Sequence, residues 1–131
     1  MAEKIRYYST NLRSPEVSFS EALLKGLAPD GGLYMPTHIP SITKDEIFSF
    51  KGMTYADIAF NVSSRFLKDD LPLTDLQRII SDAYDFPVPL EHVYENKHVM
   101  RLDGGPTASF KDFAARMMGC LINYYLQREN R

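Results

Sequence analysis

Residues 104–113 read GGPTASFKDF, and this stretch gives the clearest indication of fold and chemistry in the 131-residue chain. Two glycines and a proline form a tight loop, and apolar residues at helical spacing begin directly after it. Ser109 is a candidate N-cap for that helix, with Asp112 at the N3 position reaching back. We therefore expect a strand over residues 98–102, a glycine-proline loop, and a helix from Phe110 to about Gln127.

Lys111 is the unusual residue of this stretch, because it lies in the first turn of the predicted helix. The positive end of the helix dipole repels a cation there, and the flanking Phe110 and Phe113 would desolvate it. Both effects lower the pKa of a lysine amine, as a Schiff-base nucleophile requires. The glycines nearby let the backbone approach a ligand closely. The alternative is an ordinary solvated surface lysine, which most lysines are.

Composition excludes several classes of protein. The formal net charge is −2 without a basic stripe, so nucleic-acid binding is not expected. Cys120 is the single cysteine, which rules out an intrachain disulfide and is typical of a reducing compartment. The first ten residues lack the apolar run of a signal peptide, and the apolar residues 113–126 are too few to span a membrane. We expect a cytoplasmic protein that contacts no membrane.

The part before residue 96 is predicted to be mostly helical with short strands. Gly26 ends the first helix, and Pro29 to Gly32 form a turn that we interpret as structural. A set of apolar residues at helical spacing follows Thr54, and residues 86–90 read as a loop or linker. The predicted strands are Ile5–Ser9 and Leu33–Met35, and the predicted capping boxes are Ser18 with Glu21, Thr43 with Glu46, and Thr74 with Gln77.

These patterns predict an α/β chain in two parts. Residues 1–95 form an α+β domain, and residues 96–131 form the first strand, loop and helix of an α/β domain. The last helix carries apolar residues nearly all the way around its axis, which predicts that it is buried on several sides. Only a polar tail follows it, so we expect an N-terminal fragment of a longer protein. We expect that helix to fold back on the first domain, to pair with another copy, or to swap between chains.

The segment GGPTASFKDFAARMMG closely resembles the cofactor-lysine segment of the threonine synthase family, which typically reads HGPT-L-A-FKDF. The N-terminal part resembles the opening of the same family independently, through YYST and VSFSEALLKGLAPDGGLYMP (residues 17–36). Residues 55–70 and 76–86 also follow its pattern. Two motifs in the expected order are far more specific than either alone, and together the similarities extend over essentially the whole chain.

The resemblance implies a fold-type II enzyme that uses pyridoxal 5′-phosphate (PLP) to convert O-phospho-L-homoserine and water to L-threonine and phosphate. Lys111 matches the lysine that holds PLP as a Schiff base and then acts as general acid and base. Thr107 and Ser109 could hydrogen-bond cofactor or substrate, or serve only as turn and N-cap. In the family the groups that bind the cofactor phosphate and pyridine nitrogen come from later sequence. We therefore expect this chain alone to be inactive and to bind PLP weakly.

The sequence departs from the commonest family pattern around the loop. Gly104 stands where histidine is frequent, Arg101 and Asp103 stand where glutamate and phenylalanine are common, and residues 108–109 replace Leu-Ala. Lys111 itself is unchanged. These departures leave open a threonine synthase-like phospho-lyase that acts on a phosphorylated hydroxy-amino acid and releases a 2-keto acid.

A non-catalytic interaction module over the first 95 residues is the alternative from another class. In that case the lysine segment would be an accidental tail. The histidines show no metal-type spacing and have no cysteine partners, so we expect no metal site. They are His38, His92 and His98.

Overall fold

The computed structural model of the protein describes residues 4–129. Helices and short strands follow one another along these residues, and this mixture confirms the predicted fold class. In chain order the elements are β1 (Tyr7–Ser9), α1 (Phe19–Lys25), β2 (Tyr34–Pro36), α2 (Lys44–Ser49), α3 (Tyr55–Leu67), α4 (Leu73–Ala83), β3 (Leu90–Tyr94), β4 (Lys97–Met100) and α5 (Lys111–Glu129).

Strands β1 and β2 pair antiparallel, and a turn centred on Asp30 holds them together. The Asp30 carboxylate accepts a hydrogen bond from the Ser9 hydroxyl at 2.6 Å and from the Gly32 N–H at 3.0 Å. Gly31 adopts a φ of 79°, which glycine reaches without steric cost. A Cβ atom on Gly32 would lie 2.1 Å from the Ser9 hydroxyl oxygen. The contacts of the turn are therefore those of a structural element, as the sequence predicts.

Side-chain caps start the first three helices. Ser18 caps α1, Thr43 caps α2 and Thr54 caps α3, and each side-chain oxygen accepts the backbone N–H three residues further on. In α2 and α3 the acidic side chain at that third position returns the bond, which completes a capping box. Gly26 ends α1 with a φ of 72°, as predicted.

The start of α4 differs from the prediction. The sequence predicts a capping box at Thr74 and Gln77, but the helix begins at Leu73, and Thr74 lies inside its first turn. Pro72 occupies the N-cap position with a φ of −57°, and no side-chain hydrogen bond caps the helix. Proline presets a φ that suits a helix start and has no N–H to satisfy. The predicted capping box is therefore wrong, because backbone geometry replaces the side-chain cap.

The main hydrophobic core lies between α3, α4 and α5. Leu76 and Ile80 of α4 are 0% and 1% exposed, and α5 contributes Leu121, Tyr124 and Tyr125. The last helix therefore folds back on the preceding helices, as in one of the three predicted arrangements. The expectation that it is buried on several sides is wrong, because only one face meets this core. Its exposed residues include Ala114, Ala115, Met118 and Leu126.

Strands β3 and β4 form an antiparallel hairpin that the sequence pattern predicts only in part. The strand at residues 98–102 is predicted, and β4 covers most of it, but β3 falls in a region with no predicted element. His92 lies directly opposite His98, and every residue of both strands is exposed. The hairpin turn contains Glu95, which has a φ of 50°. The domain boundary after residue 95 stays a prediction.

Candidate functional site

The loop between β4 and α5 requires glycine at two positions. A Cβ atom on Gly105 would lie 2.4 Å from the Asp112 carboxylate, and one on Gly104 would lie 2.5 Å from the backbone oxygen of Pro87. Real Cβ atoms do not come this close to other atoms, so both glycines allow a close chain approach. This supports the interpretation that they shape the backbone of the loop and take no direct part in chemistry.

Asp112 anchors the loop to the start of α5. Its side chain is buried, and its carboxylate accepts the Thr107 N–H at 2.9 Å and the Thr107 hydroxyl at 2.7 Å. The hydrogen bond from the Thr107 side chain, together with that from its backbone, lowers the pKa of the Asp112 carboxyl. Between the two residues, Ala108 adopts a φ of 54°. The hydroxyl of Thr107 is therefore committed to Asp112 as a donor, and its lone pairs remain available as acceptors.

Ser109 lies at the helix start, close to the predicted place. Its hydroxyl accepts the Lys111 N–H at 3.3 Å, and its backbone oxygen accepts the Asp112 N–H at 3.0 Å. The helix begins at Lys111, one residue later than predicted. The Asp112 carboxylate bonds mainly to Thr107, and a weaker contact with the Ser109 backbone, in the direction of the predicted cap, also lowers the pKa of the Asp112 carboxyl. The Ser109 hydroxyl keeps its own proton, so it can still donate to a ligand.

Lys111 projects from the first turn of α5 and is exposed. Its ammonium group lies 4.6 Å from the centre of the Phe110 ring, and within residues 4–129 it forms no ion pair. The predicted desolvation by both phenylalanines is wrong. Phe110 is itself 63% exposed. Phe113 follows Lys111 by two residues, which is about 200° around a helix, and its ring packs against Tyr55 and Phe86.

An open apolar groove begins at Lys111. Its volume is about 620 Å³, which is within the range of small-molecule binding sites. Among the described residues that line it, Lys111 and Tyr55 are the two whose side chains carry a polar group. The remaining lining residues are Met100, Leu102, Phe110, Phe113, Ala114, Ala115 and Met118. The groove thus places one primary amine beside an apolar surface that a flat ring could cover.

A cluster of aromatic rings supports the groove from below. The Phe113 ring packs edge-on against Tyr55 at 5.4 Å and against Phe86 at 5.2 Å, measured between ring centres. The Tyr84 hydroxyl donates to the backbone oxygen of Phe113 at 3.2 Å. Burial raises the pKa of both Tyr55 and Tyr84, so these hydroxyls stay protonated at neutral pH. No sequence pattern predicts this cluster, because its members come from three separate segments.

Arg116 is a second feature that sequence reasoning missed. Its guanidinium reaches three oxygen atoms of residues 82–85 at the end of α4. The sequence shows only that a charged residue, Arg116, interrupts the apolar stretch over residues 113–126. That signal does not identify the partners of Arg116, because they lie more than 30 residues away in sequence.

The remaining features of the described residues are the histidines, the candidate metal ligands and the apolar character of the helices. His92 and His98 meet across the hairpin with ring centres 5.1 Å apart. Among residues 4–129 no group of three or more histidine, cysteine, aspartate or glutamate side chains is arranged to hold a metal ion. In the same part of the chain, no helix has the length and apolar character needed to cross a bilayer.

Comparison with known proteins gives one consistent family. The family model described as "Threonine synthase N terminus" matches residues 6–84. Threonine synthase from Methylobacillus glycogenes is 37% identical over 95% of this chain and 29% of its own length. Threonine synthase-like 2 from Xenopus laevis is 32% identical over 97% of this chain and 28% of its own length. The chain thus spans less than a third of the length of these relatives.

Solved structures give the same result. PLP-bound threonine synthase from Brucella melitensis superimposes with a TM-score of 0.91 at 34% identity, covering 98% of this chain and 29% of that one. Threonine synthase from yeast superimposes with a TM-score of 0.83 at 32% identity, covering 95% of this chain and 27% of that one. The fold of residues 4–129 is therefore that of one part of these larger enzymes.

Proposed function

The chain belongs to the threonine synthase family and matches its N-terminal part, and from this membership we propose that it supplies the cofactor-binding lysine of a PLP-dependent lyase. The longer protein would convert O-phospho-L-homoserine and water to L-threonine and phosphate. The observation that carries the proposal is the position of Lys111, which presents a primary amine at an apolar groove on the first turn of α5. The similar threonine synthase from Brucella melitensis is PLP-bound, which supports the choice of cofactor.

The residues present fit covalent attachment of PLP. Lys111 has no competing carboxylate partner within residues 4–129, and the groove beside it offers apolar side chains to a planar ring. When bound, PLP supplies an electron sink for carbanion chemistry. Lys111 would hold the cofactor and, once displaced by the substrate amine, would carry protons at its Nζ atom. The bonds between Thr107 and Asp112 would keep the loop beside this amine in a fixed shape.

Thr107 and Ser109 are proposed as further cofactor-binding residues with different capacities. The Thr107 hydroxyl donates to Asp112, so it would accept a hydrogen bond from a ligand. The Ser109 hydroxyl accepts the Lys111 N–H, so it would donate its own proton to a ligand oxygen. Neither residue lines the groove itself, so their two complementary roles would be played in the loop that leads into Lys111.

We also propose that this chain alone is inactive and binds PLP weakly. A phosphate group and a pyridine nitrogen both need polar partners, and the groove lining offers only Lys111 and the Tyr55 hydroxyl. Covalent attachment already uses the lysine. Segments that the relatives have beyond the length matched here would supply the other partners.

The test of the function uses the longer protein that carries this chain, loaded with PLP. Lys111→Ala should abolish both the visible absorbance of the lysine–cofactor linkage and the release of phosphate from O-phospho-L-homoserine. Lys97→Ala, which removes an exposed lysine of the hairpin, is the matched control and should leave both unchanged. Retention of the linkage absorbance in Lys111→Ala would refute the assignment of Lys111.

A second candidate function is favoured by the similarity to threonine synthase-like 2. In that case the longer protein would be a phospho-lyase that forms a 2-keto acid. Product analysis of the same reaction separates the two functions, because threonine carries a primary amine and a 2-keto acid carries a carbonyl group. Lys111 would have the same role in both functions.

We further propose that this chain, when isolated, self-associates through the outer face of α5. That face lines the groove with Ala114, Ala115 and Met118, and Met118 is 50% exposed. Burying an apolar side chain is worth about 1.5–3 kcal/mol, so covering the groove with a second copy would be favourable.

A further inference from the structure

Arg116 joins the end of α4 to the second turn of α5. Its Nε donates to the backbone oxygen of Ala83 at 2.7 Å. One terminal nitrogen, Nη2, donates to the backbone oxygen of Asp82 and to a carboxylate oxygen of Asp85, both at 2.7 Å. The guanidinium is therefore held by three bonds around one helix end, which fixes its position in more than one direction.

These contacts satisfy a need of α4 that its own sequence does not meet. The last carbonyl groups of a helix lack partners within the helix, and the negative end of the helix dipole favours a nearby cation. The last turn of α4 contains no basic residue. Arg116 supplies both the hydrogen-bond donors and the positive charge from α5, so it acts as a cap from another helix.

The same side chain is coupled to the aromatic cluster below the groove. The Arg116 guanidinium carbon lies 5.7 Å from the centre of the Phe86 ring, and that ring packs against Phe113. Phe113 is also held through its backbone oxygen by the Tyr84 hydroxyl. Residues 113–116 of α5 are therefore fixed by polar and aromatic contacts together.

The attachment of Arg116 to the end of α4 determines the side of α5 from which the Lys111 side chain projects. Lys111 precedes Arg116 by five residues, which corresponds to about 140° of rotation and about 7.5 Å along the axis of a helix. While Arg116 faces the end of α4, Lys111 must face the groove. Loss of the attachment would leave the first turns of α5 held by the Asp112–Thr107 bonds and the Phe113 contacts alone, which would allow them to rotate or fray more readily.

We propose that Arg116 is a positioning residue for Lys111, which it holds toward the groove by capping α4 with a forked guanidinium. The importance of Arg116 for catalysis rests on the proposed function of Lys111. The attachment itself is a property of residues 4–129, so the two parts can be tested separately.

The first measurement is amide hydrogen exchange on the isolated chain. In a regular helix the Ala115 N–H bonds to the Lys111 carbonyl, and the Leu126 N–H bonds to that of Ile122. Arg116→Met should accelerate exchange of the Ala115 amide about tenfold or more, because charge-assisted hydrogen bonds are lost locally. The Leu126 amide should change by less than about threefold.

Arg128→Met is the matched control, because Arg128 also ties α5 to α4 but at the opposite end. It bonds the Tyr124 hydroxyl and lies 3.8 Å from the Asp75 carboxylate. We expect this variant to accelerate exchange at Leu126 and not at Ala115. Arg116→Lys retains the charge without the fork and should give an intermediate effect at Ala115. It also keeps the test informative if the methionine variant unfolds.

The second measurement is the absorbance of the lysine–cofactor linkage in the longer protein as PLP is added. Arg116→Met should raise the PLP concentration needed for half-saturation, with Arg116→Lys closer to the unsubstituted protein and Arg128→Met unchanged. Equal acceleration of Ala115 and Leu126 exchange, or an unchanged PLP titration, would overturn the positioning role. Survival of the linkage in Lys111→Ala would instead overturn the proposed function and leave the exchange result standing.

Discussion

The helical core and the hairpin region contain similar apolar side chains but expose them very differently. We define the helical core as α3, α4 and the buried face of α5, and the hairpin region as β3, β4 and the loop over residues 101–110. Leu76 in the core is 0% exposed, whereas Leu90 and Val99 in the hairpin are 64% and 47% exposed. Burial thus stabilises the first region and contributes little to the second.

Polar contacts hold the hairpin region in place of a core. The Arg101 guanidinium bonds to both carboxylate oxygens of Asp103, at 2.8 and 2.6 Å, and to Glu91 at 2.8 Å. Exposed ion pairs of this kind contribute at most about 1 kcal/mol each. A two-stranded hairpin without a covered face is marginal by itself. The difference between the regions shows that short-range bonds shape the hairpin and that its apolar residues are free to meet another surface.

The largest expected difference between the two regions is the cost of removing an apolar side chain. Leu76→Ala should lower the free energy of unfolding by about 2–5 kcal/mol, because it leaves a cavity in the core. Val99→Ala should change it by no more than about 0.5 kcal/mol, because the side chain is half exposed. Urea denaturation followed by circular dichroism measures both. Equal costs for the two variants would show that the hairpin has a core of its own.

Local chemistry explains which elements the sequence could predict. The cap at Thr43 needs only residues within one turn, so its pattern identifies α2, and the apolar residues at helical spacing after Thr54 identify α3. The pattern at Thr74 misleads because Pro72 starts the helix two residues earlier. Strand β3 shows no alternation of buried and exposed residues, because both of its faces are exposed. Periodicity therefore carries no information about it.

The candidate site shows the same division between local and distant contacts. The motif around Lys111 selects this lysine as the candidate, and the loop glycines and the helix start follow from nearby residues. The exposure of Lys111 depends on which side of α5 the core covers, which the nearly uniform apolar composition of the helix does not reveal. The contacts of Arg116 depend on the packing of α5 against α4, between residues more than 30 positions apart.

The next test of the difference between the regions is self-association of the isolated chain. It shows whether a second copy covers the exposed apolar surface of the groove. We expect the isolated chain to show a concentration-dependent mass in light scattering, up to that of a dimer. Met118→Asp would place a charge on the groove and should give a monomer. Leu126→Asp is the matched control, since Leu126 is exposed on the same helix and does not line the groove. A monomeric unsubstituted chain would contradict the proposal.

The smallest expected effect concerns pH, which separates polar stabilisation from burial. Hydrogen bonds from Ser9 and from the Gly32 and Arg13 N–H groups lower the pKa of Asp30 from 3.8 to about 2. Because the folded-state pKa is below that of the unfolded chain, Asp30 stabilises the fold fully above about pH 4, and this contribution disappears as the pH falls toward 2. Asp30→Asn should therefore destabilise the chain at pH 6 and progressively less toward pH 2.

The cost of Leu76→Ala should stay nearly constant over the same pH range, because cavity formation involves no proton. Asp82→Asn, which alters an exposed carboxylate in α4, is the control for the removal of one negative charge outside the turn. Urea denaturation of the four proteins between pH 2 and pH 6 gives the result directly. A constant cost for Asp30→Asn would mean that the turn is stabilised by shape alone, whereas a cost that vanishes toward pH 2 would assign its stability to the charged carboxylate and its hydrogen-bond donors.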